Sequence, residues 1–120
     1  MLTLSPSTRI YVATGVTDMR RGFNGLAAIV MGELDLELLS GHLFVFSNRR
    51  RDRLKVLYFD GSGLWVCAKR LEKGTFKWPE PGTDVVEMTS EELMLLLGGI
   101  DLAATKKRRW FGRETKRAAM

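Results

Sequence analysis

The side chains most able to do chemistry in this sequence are cations gathered at short spacings. Arg49, Arg50, Arg51 and Arg53 stand almost side by side, Lys55 follows two positions later, and Lys69 and Arg70 recur with Lys73 and Lys77 close behind. A guanidinium is planar, permanently charged and forked, so it binds phosphate bidentately. Arginines crowded at a hairpin tip can grip a phosphodiester backbone or enter a groove. The competing reading is a solvated turn whose arginines pair with Asp52 and nearby carboxylates. A third group lies at the C-terminal end. Residues 105–120 carry Lys106, Lys107, Arg108, Arg109, Arg113, Lys116 and Arg117 against the single acid Glu114. Each phosphate neutralised by such an arm releases condensed counterions, and Trp110 and Phe111 within it can stack on bases or pack on the domain.

Residue types that would support catalysis are sparse. A serine or cysteine nucleophile needs a base, and the chain has one histidine, His42, at the start of an apolar run. The lone Cys67 sits between Val66 and Ala68, as a buried strand thiol would, and has no second cysteine for a disulfide or zinc site. Gly15, Gly22 and Gly25 lack P-loop spacing and no Lys-Ser/Thr pair follows them. Two-metal strand transfer needs several converging carboxylates. Of the three considered, Asp60 lies in an Asp-Gly turn, Asp18 suits a helix cap, and Glu72 is flanked by Arg70 and Lys73. No catalytic residue, metal site or cofactor is expected.

The elements that must position the cations follow from periodicity. Arg9 to Thr14 is rich in β-formers and ends at Gly15, predicting a first strand. Thr17-Asp18 offers a cap for a helix in which Phe23, Leu26, Ala27 and Val30 keep helical spacing. Gly22 and Gly25 weaken that helix, so close approach to a neighbouring backbone is expected there. From His42 to Trp78 the period becomes two. Three strands are predicted, through Leu43–Phe46, Leu54–Phe59 and Leu64–Lys69, joined by turns at 47–52 and 60–63 that permit only antiparallel pairing. A shorter strand through Phe76 and Trp78 is predicted before Pro79 and Pro81, with an edge strand over Val85–Met88. Thr89-Ser90-Glu91-Glu92 has the form of a capping box, opening a second helix with Leu93, Leu96, Leu97 and Ile100 on one face.

These elements make an α+β fold: an antiparallel meander of about five strands, two packed helices covering one side, and a basic tail. One domain over residues 1–104 and a tail over 105–120 are expected. The chain has 120 residues and a net charge of +5. Residues 105–120 hold a surplus of six positive charges, so residues 1–104 are close to neutral. No apolar stretch is long enough to span a bilayer, and Met1 to Pro6 lacks the layout of a signal peptide. A cytoplasmic protein without membrane contact is expected.

Four stretches, Tyr11–Leu26, Ser40–Phe46, Asp52–Gly61 and Ala68–Glu72, followed by Phe76 and Trp78-Pro79, converge on one family. In that order they resemble the accessory TnpB proteins of the insertion-sequence-sixty-six transposable elements, over about residues 9–101. Asn24 stands where the family commonly has Asp, and Leu97-Gly98-Gly99 replaces a form with an acid before the glycine. The resemblance implies a bacterial, auxiliary role in transposition beside a separate transposase that cuts and joins DNA. Two functions are compatible with the residues. One is binding of DNA, at element ends or in the transposase–DNA complex, through Arg49, Arg50, Arg51, Arg53, Lys55, Lys69, Arg70 and the tail. The other is a protein adaptor that docks on the transposase through an apolar sheet face and Trp65, Trp78 or Trp110.

Overall fold

A computed structural model describes residues 7–99. The strands are β1 (Ile10–Ala13), β2 (Leu43–Ser47), β3 (Arg53–Phe59), β4 (Leu64–Arg70) and β5 (Val85–Met88), and they form one sheet in the order β4-β3-β2-β1-β5. The predicted meander is present as β2, β3 and β4. Its register sets Val45 opposite Val56 and Val56 opposite Cys67.

The first strand departs from a pure meander. β1 runs parallel to β2, with Ile10 opposite Leu43 and Val12 opposite Val45, and antiparallel to β5 on its other side. A parallel pair cannot be closed by a tight turn and needs a long crossover, which residues 14–42 supply. That crossover holds α1 (Phe23–Ala28), a π-helical turn over Ile29–Glu33 and a 3-10 turn over Leu38–Ser40.

Alternation along the strands divides the core into two layers. Ile10, Val12, Leu43, Val45, Leu54 and Val56 face one way and pack with Phe76, Leu93 and Leu96. Ala13, Phe44, Phe46 and Leu57 face the other way and pack with Leu26, Ile29 and Val30 from the crossover. β2 is buried at every position because both of its faces are covered. The fold is therefore α+β, with α1 on one face and α2 (Ser90–Leu97) on the other. A covering of one side alone is the expectation that the structure corrects.

Three local expectations are also corrected. No strand runs through Phe76 and Trp78. The Phe76 N–H donates to the Arg51 carbonyl at 2.7 Å instead of joining a ladder, and its ring is buried as a plug in the core. The first helix is capped at Gly22, not Thr17-Asp18. It passes into the wider turn at Ile29, where the Leu34 N–H reaches the Ile29 carbonyl at 2.9 Å. Gly25 meets the Arg21 side chain, whose Cβ would lie 2.9 Å from an added Cβ, and not another backbone.

The capping box is present as predicted. The Glu92 N–H donates to Thr89 Oγ1 at 3.1 Å and the Thr89 N–H donates to Glu92 Oε1 at 2.9 Å. Leu93 and Leu96 then point into the core. Loss of a side-chain cap of this kind costs about 1 kcal/mol, so Thr89→Ala should lower the urea midpoint by that equivalent. An unchanged midpoint would show that α2 is held by packing alone.

Candidate nucleic-acid interface

The β2–β3 turn carries the arginine cluster, and Asn48 builds it. Its carbonyl accepts the Arg51 N–H at 3.2 Å, while its side-chain oxygen accepts the N–H groups of Asp52 and Arg53, each at 3.2 Å. The turn closes with Arg51 at φ 58°, a left-handed conformation that favours glycine. The Arg51 side chain accounts for an arginine standing there. Its guanidinium turns inward, donating from Nη2 to Thr14 O at 2.9 Å and from Nη1 to Gly15 O at 3.2 Å and Ser47 O at 3.4 Å. Its Cζ lies 5.1 Å from the centre of the Trp78 ring, within cation–π range. Burial lowers the Arg51 pKa. Trp78 is itself fixed by donation from Nε1 to Ala13 O at 2.8 Å.

The neighbouring arginines are directed differently. Arg49 and Arg50 are exposed at the turn, and Arg53 is exposed where β3 begins. Among the described residues no carboxylate lies within ion-pairing distance of these three. Asp52, the obvious internal partner, instead accepts from Asn48 Nδ2 at 2.8 Å. That hydrogen bond is the main cause of its lowered pKa, with smaller contributions from the nearby charges of Arg50 and Arg53.

Strand register decides which other cations join them. Arg53 lies directly opposite Arg70, and Lys55 opposite Ala68, all on the face that α1 covers further along. Lys55 Nζ donates to Arg21 O at 2.8 Å, tying the loop before α1 to this end of the sheet. Arg53, Lys55 and Arg70 line an open concavity of about 400 Å³ with Met19, Ala68 and Glu72. Arg70 holds Glu72 at 3.2 Å in an exposed pair. Lys69 is opposite Leu54, so its side chain leaves from the other face, where Nζ donates to Leu97 O at the end of α2. Lys106, Lys107, Arg108, Arg109 and Arg113 lie outside the described residues.

The sequence profile of a family described as IS66 Orf2 like protein matches residues 8–107. This chain belongs to that family. The IS66 Orf2-like proteins are accessory proteins of transposition, and the assignment agrees with the resemblance read from the motifs. The protein is 43% identical to the uncharacterized protein y4hO of Sinorhizobium fredii (strain NBRC 101917 / NGR234) over 101 residues, covering 84% of this chain and 88% of the relative. It is 41% identical to the uncharacterized protein y4jC of the same organism over 108 residues, covering 90% and 92%. No solved structure matches the chain.

In this IS66 Orf2-like chain the acids weighed for metal chemistry have separate structural partners. Asp18 accepts from Arg20 Nε and Nη2, the closest contact being 2.7 Å, and that side-chain hydrogen bond is the main cause of a pKa lowered to about 2. Asp60 shapes the β3–β4 turn, accepting from the N–H groups of Ser62 and Gly63, from Ser62 Oγ, and from Trp65 Nε1 at 2.8 Å. These donors, the Ser62 N–H foremost, hold its carboxyl far below 3.8. Among the described residues no three His, Cys, Asp or Glu side chains gather as a metal cage. His42 Nδ1 accepts the Arg9 N–H at 2.9 Å, and its ring meets Tyr11 edge-on. Also among the described residues, no helix is long and apolar enough to cross a membrane.

The Arg53–Arg70 juxtaposition was not visible in the sequence, because it depends on hairpin register; the length of the β3–β4 turn contains the signal that would have found it. Two outcomes follow from the geometry. Arg51→Gly relieves the left-handed backbone yet removes three charged hydrogen bonds to carbonyls, so it should destabilise by about 2–3 kcal/mol in urea titration. A stability gain would show that the strut is dispensable. Asp60, with a folded pKa below its unfolded one, contributes stability that is complete above about pH 4 and fades as pH falls further. Asp60→Asn should therefore flatten the acid limb of a thermal-stability profile below pH 4, and an unaltered limb would contradict the assigned hydrogen bonds.

Proposed function

We propose that this protein is a non-catalytic accessory of transposition that binds DNA, at element ends or within the transposase–DNA complex. The carrying observation is that Arg49, Arg50 and Arg53 stand together at one end of the sheet without a carboxylate partner among the described residues, with Lys55 and Arg70 beside them. Cations left unneutralised on a protein surface attract a polyanion, and contact with a phosphate backbone is sequence-independent. Arg51 and Lys69 have internal duties, so the working set within the body is narrower than the full arginine cluster. Lys106, Lys107, Arg108, Arg109 and Arg113 extend it as a separate basic tail following a domain over 1–104. Catalysis is left to the transposase, because the single histidine and the weighed acids are already engaged structurally. The place of action is the cytoplasm, where the element's DNA resides.

Trp65 favours one second reading. It is 45% exposed on β4, which is an edge of the sheet, and an exposed aromatic on an open edge suits strand addition by a protein partner such as the transposase. The broad apolar sheet face weighed for docking is covered, and Trp78 is engaged internally.

A salt titration separates the two. For DNA contact, log K against log salt should fall with a slope of roughly 0.9 per phosphate for duplex DNA. Arg49→Gln/Arg50→Gln should weaken binding at low salt and make that slope shallower. A flat salt response, with transposase capture that survives nuclease treatment and is lost in Trp65→Ala, would replace the DNA reading with the adaptor.

A further inference from the structure

The pairing of Arg53 with Arg70 conflicts with sheet stability. The Leu71 N–H donates to Asp52 O at 2.8 Å, and ladder alternation then makes the next pair inward, Arg53 and Arg70, a non-hydrogen-bonded one. Facing side chains approach most closely at such positions, and like charges there are destabilising. Both side chains are exposed, so they can splay in water. Nothing in the core requires either of them.

We propose that Arg53 and Arg70, with Lys55 beneath them, form a seat for one phosphate group in the concavity that they line. The assignment deepens the DNA reading above by naming which cations fix the backbone in place and which only attract it. Two guanidiniums on adjacent strands can each present a fork to one tetrahedral anion. Lys55 has donors left after its bond to Arg21 O, since an ammonium carries three. The ion pair to Glu72 is the competitor that the phosphate displaces. With side chains 59% and 82% exposed, that pair is a weakly held surface contact. Met19 and Ala68 give the seat an apolar wall. Arg49 and Arg50 at the turn have no such wall and serve long-range attraction.

The test compares two doubly substituted full-length proteins of equal net charge, Arg53→Gln/Arg70→Gln and Arg49→Gln/Arg50→Gln. Three measurements are made: duplex binding at fixed salt, melting temperature in chloride, and melting temperature in inorganic phosphate at the same ionic strength. The 53/70 variant should bind duplex roughly tenfold more weakly than the 49/50 variant, since losing a bidentate contact costs more than losing diffuse charge. It should melt on the order of 2 °C higher than wild type in chloride, through relief of the like-charge pair, and phosphate should stabilise wild type but not this variant. Glu72→Gln should tighten duplex binding about twofold by removing the competitor. A duplex with 5′-phosphates binding better than one with 5′-hydroxyls places the seat at a strand end, whereas equal binding places it on an internal phosphodiester. Equal loss in the two double variants, without phosphate-dependent stabilisation of wild type, overturns the seat while leaving general DNA binding intact. Phosphate stabilisation without duplex binding overturns the DNA reading and leaves the seat.

Discussion

The guanidinium of Arg51 sits where three separate parts of the chain must meet. The segment after β1, the end of β2 and the long passage between β4 and β5 have no ladder between them at this corner, yet carbonyls from Thr14, Gly15 and Ser47 and the face of Trp78 converge on one side chain. A partly buried carbonyl without a donor is costly, and one fork-shaped donor serves Thr14 and Gly15 and adds to the Thr17 N–H already bonded to Ser47 O. The same residue accepts the Phe76 N–H through its own carbonyl, so backbone and side chain act on opposite partners. With the corner fixed, the turn bearing Arg49 and Arg50 has a definite position, and β3 starts where Arg53 faces Arg70.

This explains why one residue in a run of three arginines differs in kind from the others. Sequence chemistry alone assigns Arg49, Arg50 and Arg51 to the same task. The distinction arises from the left-handed backbone at Arg51, which swings its side chain back across the turn, and no local signal marks that conformation when the residue is not glycine or asparagine. The phosphate-binding proposal therefore rests on neighbours of the residue that builds the site.

Elements governed by local chemistry were legible in the sequence. Alternation set β2, β3 and β4, and Thr89 with Glu92 announced α2 through a hydrogen-bond pair confined to four residues. Non-local choices were not legible. Phe76 and Trp78 have strand-like composition, but the Phe76 N–H is taken by the Arg51 carbonyl and its ring by the core, and the Trp78 ring is held by Ala13 O, so no ladder forms. The pairing of β1 with β2 depends on a crossover whose length is visible but whose destination is not. For the candidate site, the cations could be listed from the sequence. Their division between the two faces of the sheet, with Lys55 on one and Lys69 on the other, follows from register.

The placement of β1 has a consequence for the order in which the chain acquires its structure. Although first to leave the ribosome, this strand is flanked by β2 and β5, whose residues lie some thirty and seventy-five positions later. The hairpins 43–70 close over short spans, whereas β1 pays a larger loop-closure cost before gaining either neighbour. Until Val85–Met88 is available, the apolar Ile10-Tyr11-Val12 segment thus has one edge still open. Completion of β5 and α2 is the step that seals it.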